Sequence, residues 1–123
     1  MEKKRILVVE DNRIIALDLK IMLEKNGYNV IGTINNGEEV LERIGELNPD
    51  AILMDINLGS GIDGIVVAEK LENKYPVIYV TSFGDKETRE RMVKTNPSAY
   101  VQKPFSEKLL IGFLERALLA HQA

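Results

Sequence analysis

Glu10 and Asp11 follow the apolar run at 6–9, Asp55 follows the run at 51–54, Thr81 follows the run at 77–80, and Lys103 lies just past the run at 99–101. Three carboxylates, a hydroxyl and an ammonium are the groups that hold a hard cation and a phosphoryl group, and an ionised aspartate can attack phosphorus to form an acyl phosphate. That chemistry needs the five side chains to meet. They meet if the runs are neighbouring strands of one parallel sheet, whose C-terminal ends share one edge, the edge at which open α/β sheets bind ligands.

The rest of the chain is patterned to build such a sheet. Strand-like runs begin near Ile6, Val30, Ala51, Val77 and Ala99, each followed by a segment of helical length, so β and α alternate five times. The runs at 6–9 and 77–80 are continuously apolar, as in central parallel strands covered on both faces, and Tyr79 and Tyr100 add bulk. Ile15, Leu19, Met22 and Leu23, then Val40, Leu41, Ile44 and Leu47, then Leu110, Phe113, Leu114, Ala117 and Leu118 recur at helical spacing and predict sheet-facing stripes. Asn26-Gly27, Asn48-Pro49, Tyr75-Pro76 and Asn96-Pro97 punctuate the returns from helix to strand. The fourth helical segment, 85–95, offers only Met92 and Val93 as clearly apolar residues and is expected to be the most weakly anchored. The pattern predicts an α/β fold: a single doubly wound, five-stranded parallel sheet with five helices, one domain over 1–123.

Composition narrows the function classes. A chain of 123 residues can bury a core without staples. It has no cysteine, which excludes thiol chemistry, disulfides and Cys-ligated metal sites and fits a reducing cytoplasm. No apolar stretch approaches the roughly 18 residues of a membrane span, and the opening Met-Glu-Lys-Lys-Arg has no signal-peptide pattern, so a soluble, unprocessed, cytoplasmic protein is expected. Net charge is −3, with 16 basic residues interspersed among 19 acidic ones. No basic stripe for nucleic acid or membrane results.

Taken singly, each candidate has an ordinary explanation. The acidic pair or Asp55 could cap a helix, Thr81 could be a plain strand residue, and Lys103 a solvated loop lysine. Their joint placement at the correct ends of four runs is harder to produce without a function. Like charges about 4 Å apart repel by roughly 4 kcal/mol at an effective dielectric of about 20. Three such pairs rival the ~5–15 kcal/mol that holds a domain together, so a counter-cation or a raised carboxyl pKa is required. Oxygen ligands without His or Cys select Mg²⁺ or a similar ion, which takes one or two carboxylates and a phosphate oxygen.

On these residues the chain resembles the receiver domain of two-component response regulators, from Lys4 to about Leu119. The resemblance implies the flavodoxin-like strand order 2-1-3-4-5 and a phosphorylation-dependent switch in a phosphorelay. It implies Asp55 as phosphoacceptor, and Mg²⁺, replaceable by Mn²⁺ or Ca²⁺, bound by Glu10, Asp11, Asp55 and the backbone carbonyl of Asn57. Lys103, Thr81 and the backbone amides of Asn57 and Ser82 would engage the phosphoryl group. Lys103-Pro104 matches the family's Lys-Pro pair, usually cis, with Pro104 aiming the lysine. Thr81 and Tyr100 would form the switch, and Asn57 and Phe83 occupy positions that tune self-hydrolysis. The implied donor is a sensor histidine kinase or a histidine phosphotransfer protein. The implied effector surface is built by the fourth helix, fifth strand and fifth helix, and it can also support a phosphorylation-dependent homodimer. External substrate turnover is not implied.

One segment departs from the family pattern. Gly59, Ser60 and Gly61 stand where many receivers have a proline and a loop one residue shorter before the Asp63-Gly64 pair. The sole histidine, His121, follows the last helical stripe and reads as a surface residue. Two alternatives share parts of the pattern. A haloacid-dehalogenase-like phosphatase uses an aspartyl nucleophile in D-x-D-x-T, but Asn57 stands where its second acid belongs. A flavodoxin-like cofactor-binding module would need a phosphate loop after the first strand, where this chain has acids.

Overall fold

The apolar runs become strands because their side chains are covered on both faces of a sheet. The computed structural model describes residues 2–82 and 84–122. Its elements alternate as β1 (Arg5–Val9), α1 (Arg13–Lys25), β2 (Asn29–Ile34), α2 (Gly37–Leu47), β3 (Ala51–Met54), α3 (Gly64–Leu71), β4 (Val77–Thr81), α4 (Lys86–Lys94), β5 (Ala99–Gln102) and α5 (Glu107–Gln122). The strands form one parallel sheet in the order β2-β1-β3-β4-β5, so the doubly wound expectation holds.

Alternate residues of each strand feed two apolar layers. Ile6, Val8, Leu53, Ile78, Val80 and Val101 pack with Leu19 and Leu23 of α1 and Leu110 and Leu114 of α5. Leu7, Val9, Ile52, Met54 and Tyr79 pack on the other face with Val40 of α2, Ile65 and Val67 of α3 and Met92 of α4. The stripes on α1, α2 and α5 thus face the sheet, with Ile15, Leu41, Ile44, Leu47 and Phe113 partly buried at the margins.

Helix α4 buries Met92 alone, while Val93 is 65% exposed, so apolar packing holds this helix least. Two polar ties assist. The Tyr79 hydroxyl and Thr95 Oγ1 lie 2.7 Å apart, and Arg91 Nη2 lies 3.1 Å from Asp63 Oδ2.

The returns differ in one place from the sequence expectation. Gly27, Asn48 and Asn96 take left-handed φ as expected, but after α3 it is Glu72 and Asn73 that do so, at φ 51° and 61°, ahead of Tyr75-Pro76. The chain must reverse as soon as the short α3 ends. Proline enforces a break but cannot supply positive φ, so the two residues upstream do. Tyr100, read as an aromatic that adds bulk to its strand and takes part in a switch, is 53% exposed on the edge strand β5.

Candidate functional site

Ladder hydrogen bonds continue past the strands and align the residues that follow them. Glu10 N–H donates to Ile34 O at 2.9 Å, Asp55 N–H to Val9 O at 2.9 Å, and Lys103 N–H to Thr81 O at 2.8 Å. Backbone pairing therefore fixes four of the five positions to one sheet edge.

Neither acid of the first loop caps α1. Asn12 does, its Oδ1 accepting from Ile14 N–H at 3.0 Å and Ile15 N–H at 3.1 Å, which frees Glu10 and Asp11 for the edge. Nor does Asp55 cap a helix: α3 is capped by Asp63, whose Oδ1 accepts from Val66 N–H at 2.9 Å. The ordinary explanation for the carboxylates is thereby removed.

Glu10, Asp11 and Asp55 each bring a carboxylate oxygen within 4.8 Å of the others. Glu10 is 3% exposed and Asp55 6%, whereas Asp11 stands at the open rim. Lys103 Nζ reaches between the buried pair, donating to Glu10 Oε1 at 2.6 Å and to Asp55 Oδ2 at 3.2 Å. The remaining oxygens of that pair are also engaged, Glu10 Oε2 by Asn12 N–H at 3.1 Å and Asp55 Oδ1 by Asn57 N–H at 3.3 Å. The Lys103-Pro104 peptide bond is cis.

One ammonium facing three carboxylates leaves charge uncompensated. Burial pushes the Glu10 carboxyl up to about 7, against the lowering effect of Lys103 and the Asn12 amide, and Asp55 adds to the rise. Burial alone would depress Lys103, but the hydrogen bond to Glu10 and the charge of Asp55 outweigh it and hold its pKa above the usual lysine value. A buried carboxylate driven toward neutrality beside two others is the signature of a site short of positive charge. Oxygen donors of this kind suit a hard divalent cation, so the residues present fit one.

Thr81 ends β4 half-buried, opposite Gln102 in the β4/β5 ladder, and Ser82 follows it at the surface. Thr81 and Tyr100 line the same cavity of about 60 Å³, together with Ile56, Met92 and Gln102, so the two residues read as a switch border one space. Asn57 is exposed at the start of the β3–α3 loop, and Phe83 lies outside the described residues. His121 is exposed near the end of α5, away from the acidic cluster.

Two supporting residues were not singled out from sequence. Gly64 opens α3 so close to Asp55 that a Cβ there would collide with the Asp55 carbonyl oxygen. Asn12 stands beside two more conspicuous acids, yet an asparagine directly before an amphipathic stretch is itself a capping signal.

The pattern of a response regulator receiver domain matches residues 6–115. The chain belongs to the receiver domain family. It is 33% identical over 117 residues to the transcriptional regulatory protein PdtaR of Mycobacterium tuberculosis, covering 94% of this chain and 57% of that protein. It is thus little more than half as long as that relative. Against the chemotaxis protein CheY of Thermotoga maritima it is 30% identical over 115 residues, covering 92% of this chain and 96% of CheY. The crystal structure of the signal receiver domain of a modulated diguanylate cyclase from Desulfovibrio desulfuricans superposes with a TM-score of 0.92 at 36% identity, covering 98% of both chains. Receiver domains act as phosphorylation-dependent signalling switches, not as enzymes turning over external substrates, and they work with histidine kinases and effectors. Among the described residues no helix is long and apolar enough to cross a membrane.

Proposed function

We propose that this receiver domain accepts a phosphoryl group on Asp55. The observation that carries the reading is Lys103 Nζ bridging Glu10 and Asp55, two buried carboxylates at adjacent strand ends. An Asp55 carboxylate oxygen attacks phosphorus of a phosphohistidine on a sensor kinase or phosphotransfer protein. The P–N bond breaks, the imidazole nitrogen keeps the electron pair and takes a proton, and an aspartyl phosphate remains. Hydrolysis reverses the state, as water attacks phosphorus and the P–O bond to Asp55 breaks.

Mg²⁺, or Mn²⁺ or Ca²⁺ in its place, held by Glu10, Asp11, Asp55 and the Asn57 carbonyl, supplies charge neutralisation for the phosphoryl oxygens. The chain's own groups supply the rest. Lys103 exchanges carboxylate partners for a phosphoryl oxygen, Pro104 directs the lysine, and the Thr81 hydroxyl and the amides of Asn57 and Ser82 donate to the others. Asn57 and Phe83 set how readily water reaches phosphorus.

Thr81 and Tyr100 couple this chemistry to the surface. When Thr81 turns toward the phosphoryl group, the exposed Tyr100 ring can enter the cavity they share, remodelling the α4, β5 and α5 face. That face then meets the effector or a second copy of the domain. A cytoplasmic setting follows from a phosphohistidine donor.

Beryllofluoride with Mg²⁺, or acetyl phosphate with Mg²⁺, is expected to load the wild type and not Asp55→Asn, read by intact mass or amide NMR shifts. Equal labelling of the Asn variant removes the assignment. Shifts on loading should extend into 85–108; shifts confined to the loops around Asp55 would leave acceptance standing and remove the switch.

A further inference from the structure

The loop after Asp55 is the part of the site that glycine leaves least constrained. Gly59 and Gly61 both adopt left-handed φ, 78° and 90°, and Gly59 N–H donates to Asn57 Oδ1 at 3.2 Å in a turn local to the loop. Local turns of this kind do not fix a loop relative to its neighbours, and flexible glycines lose the most entropy when ordered. Leu58 is buried in the core and Gly64 N–H donates to Ile56 O at 2.8 Å, which pins the flanks, so the glycine stretch between them needs a hold of its own.

That hold comes from the start of α2. Ile62 N–H donates to Glu38 Oε1 at 3.1 Å, a contact 24 residues apart in sequence. The neighbouring Gly37 makes room for it. A Cβ on Gly37 would lie 2.7 Å from Ile62 Cγ1 and 2.7 Å from Val67 Cγ2, so the missing side chain is what lets Ile62 seat against α2. At Gly61 a Cβ would collide with the Glu38 carboxylate, so the loop backbone and that carboxylate are in direct apposition. At its other end the loop borders the acidic cluster, with Asp11 Oδ2 3.7 Å from where a Gly59 Cβ would stand and Asn57 N–H on Asp55 Oδ1. A displacement of the 59–62 segment therefore bears on Gly59, through its N–H on the Asn57 side chain, and on the space beside Asp11.

We propose that Glu38 is a positioning residue for the cation site, fastening the 57–62 loop to α2 so that Asn57 keeps its place beside Asp55 and Asp11. This rests on the reading of Glu10, Asp11, Asp55 and Asn57 as cation ligands. Glu38 does not itself reach the cluster. It acts by accepting the Ile62 N–H, a task a glutamine carbonyl can also perform but an alanine cannot.

The test compares wild type, Glu38→Ala, Glu38→Gln and Glu42→Gln, the last removing an exposed negative charge one turn along α2. Each is titrated with Mg²⁺ and followed by amide NMR shifts, and amide hydrogen exchange at Ile62 is measured without metal. Glu38→Ala is expected to weaken Mg²⁺ binding about three- to tenfold, the effect of losing one hydrogen bond of ordinary net strength, and to speed Ile62 exchange with the melting temperature nearly unchanged. Glu38→Gln and Glu42→Gln should stay within about twofold of wild type by the same measure, since neither loses that bond. Unchanged affinity or Ile62 exchange in Glu38→Ala overturns the proposal. So does equal weakening in all three variants, which would make Glu38 a remote charge. A wild type that takes up no Mg²⁺ overturns the cation reading beneath it, a failure seen before any variant is compared.

Discussion

Lys103 holds two carboxylates that would otherwise face each other unscreened. Replacing it with methionine keeps the apolar stem and removes the ammonium, leaving Glu10 and Asp55 buried without a cation. Breaking a fully buried pair costs about 3–5 kcal/mol. The Lys103 side chain is 16% exposed, so the lower part of that range is expected. Urea unfolding of Lys103→Met at pH 8 in chelator should show the deficit, and Mg²⁺ should narrow it; stability equal to wild type would contradict the charge argument. Tyr79 carries a different titration. Burial raises its phenol to about 12, against the lowering effect of the Thr95 hydrogen bond. Its folded pKa lies above the unfolded value near 10, so the stability it contributes is complete below about pH 10 and is lost as pH rises toward 12. Wild type should lose stability over that window more steeply than Tyr79→Phe, measured by denaturant midpoints at each pH.

Elements, not residues, decide how firmly the site is held. The first residue of α3 shows competing effects with a clear winner. Alanine at Gly64 gains about 1 kcal/mol of helix propensity. Its Cβ would meet the backbone carbonyl of Asp55, which cannot rotate away, and overpacking of that kind costs about 1–3 kcal/mol. Gly64→Ala is expected to be net destabilising in a urea melt, while alanine at Gly45, whose Cβ would meet nothing within 4 Å, should stabilise α2. Helix α4 makes the opposite case. With Met92 as its one buried apolar residue, it should open more readily than α1, which buries Ala16, Leu19, Met22 and Leu23. Amide exchange across 90–94 should outpace that across 20–25; equal protection would mean that the ties through Thr95 and Arg91 substitute for packing.

At the scale of the molecule, the fold was legible wherever one segment carries its own instruction. Continuous apolar runs at 6–9 and 77–80 state burial on both faces, and the stripe at Leu110, Leu114 and Leu118 states which side of α5 turns inward. The edge-sharing of Glu10, Asp55, Thr81 and Lys103 follows from parallel strands alone. What stayed hidden depends on pairs of distant residues. Nothing in the sequence joins Glu38 to Ile62 or Arg91 to Asp63, because each pairing exists only once two helices have been placed on the sheet. The left-handed pair Glu72 and Asn73 was masked by the stronger punctuation of Tyr75-Pro76.

The shortest contact at the site, Lys103 to Glu10, joins residues 93 positions apart. The acid comes from the strand that opens the chain and the ammonium from just after the strand that ends the sheet. Contacts of that separation raise the mean sequence distance between partners, with which folding slows. No fragment ending before β5 can compensate Glu10 and Asp55 with this lysine, however well its first four strands pair. A nascent or clipped chain would present the acids without their lysine. The compensated acid pair thus marks a sheet whose fifth strand has been made and docked.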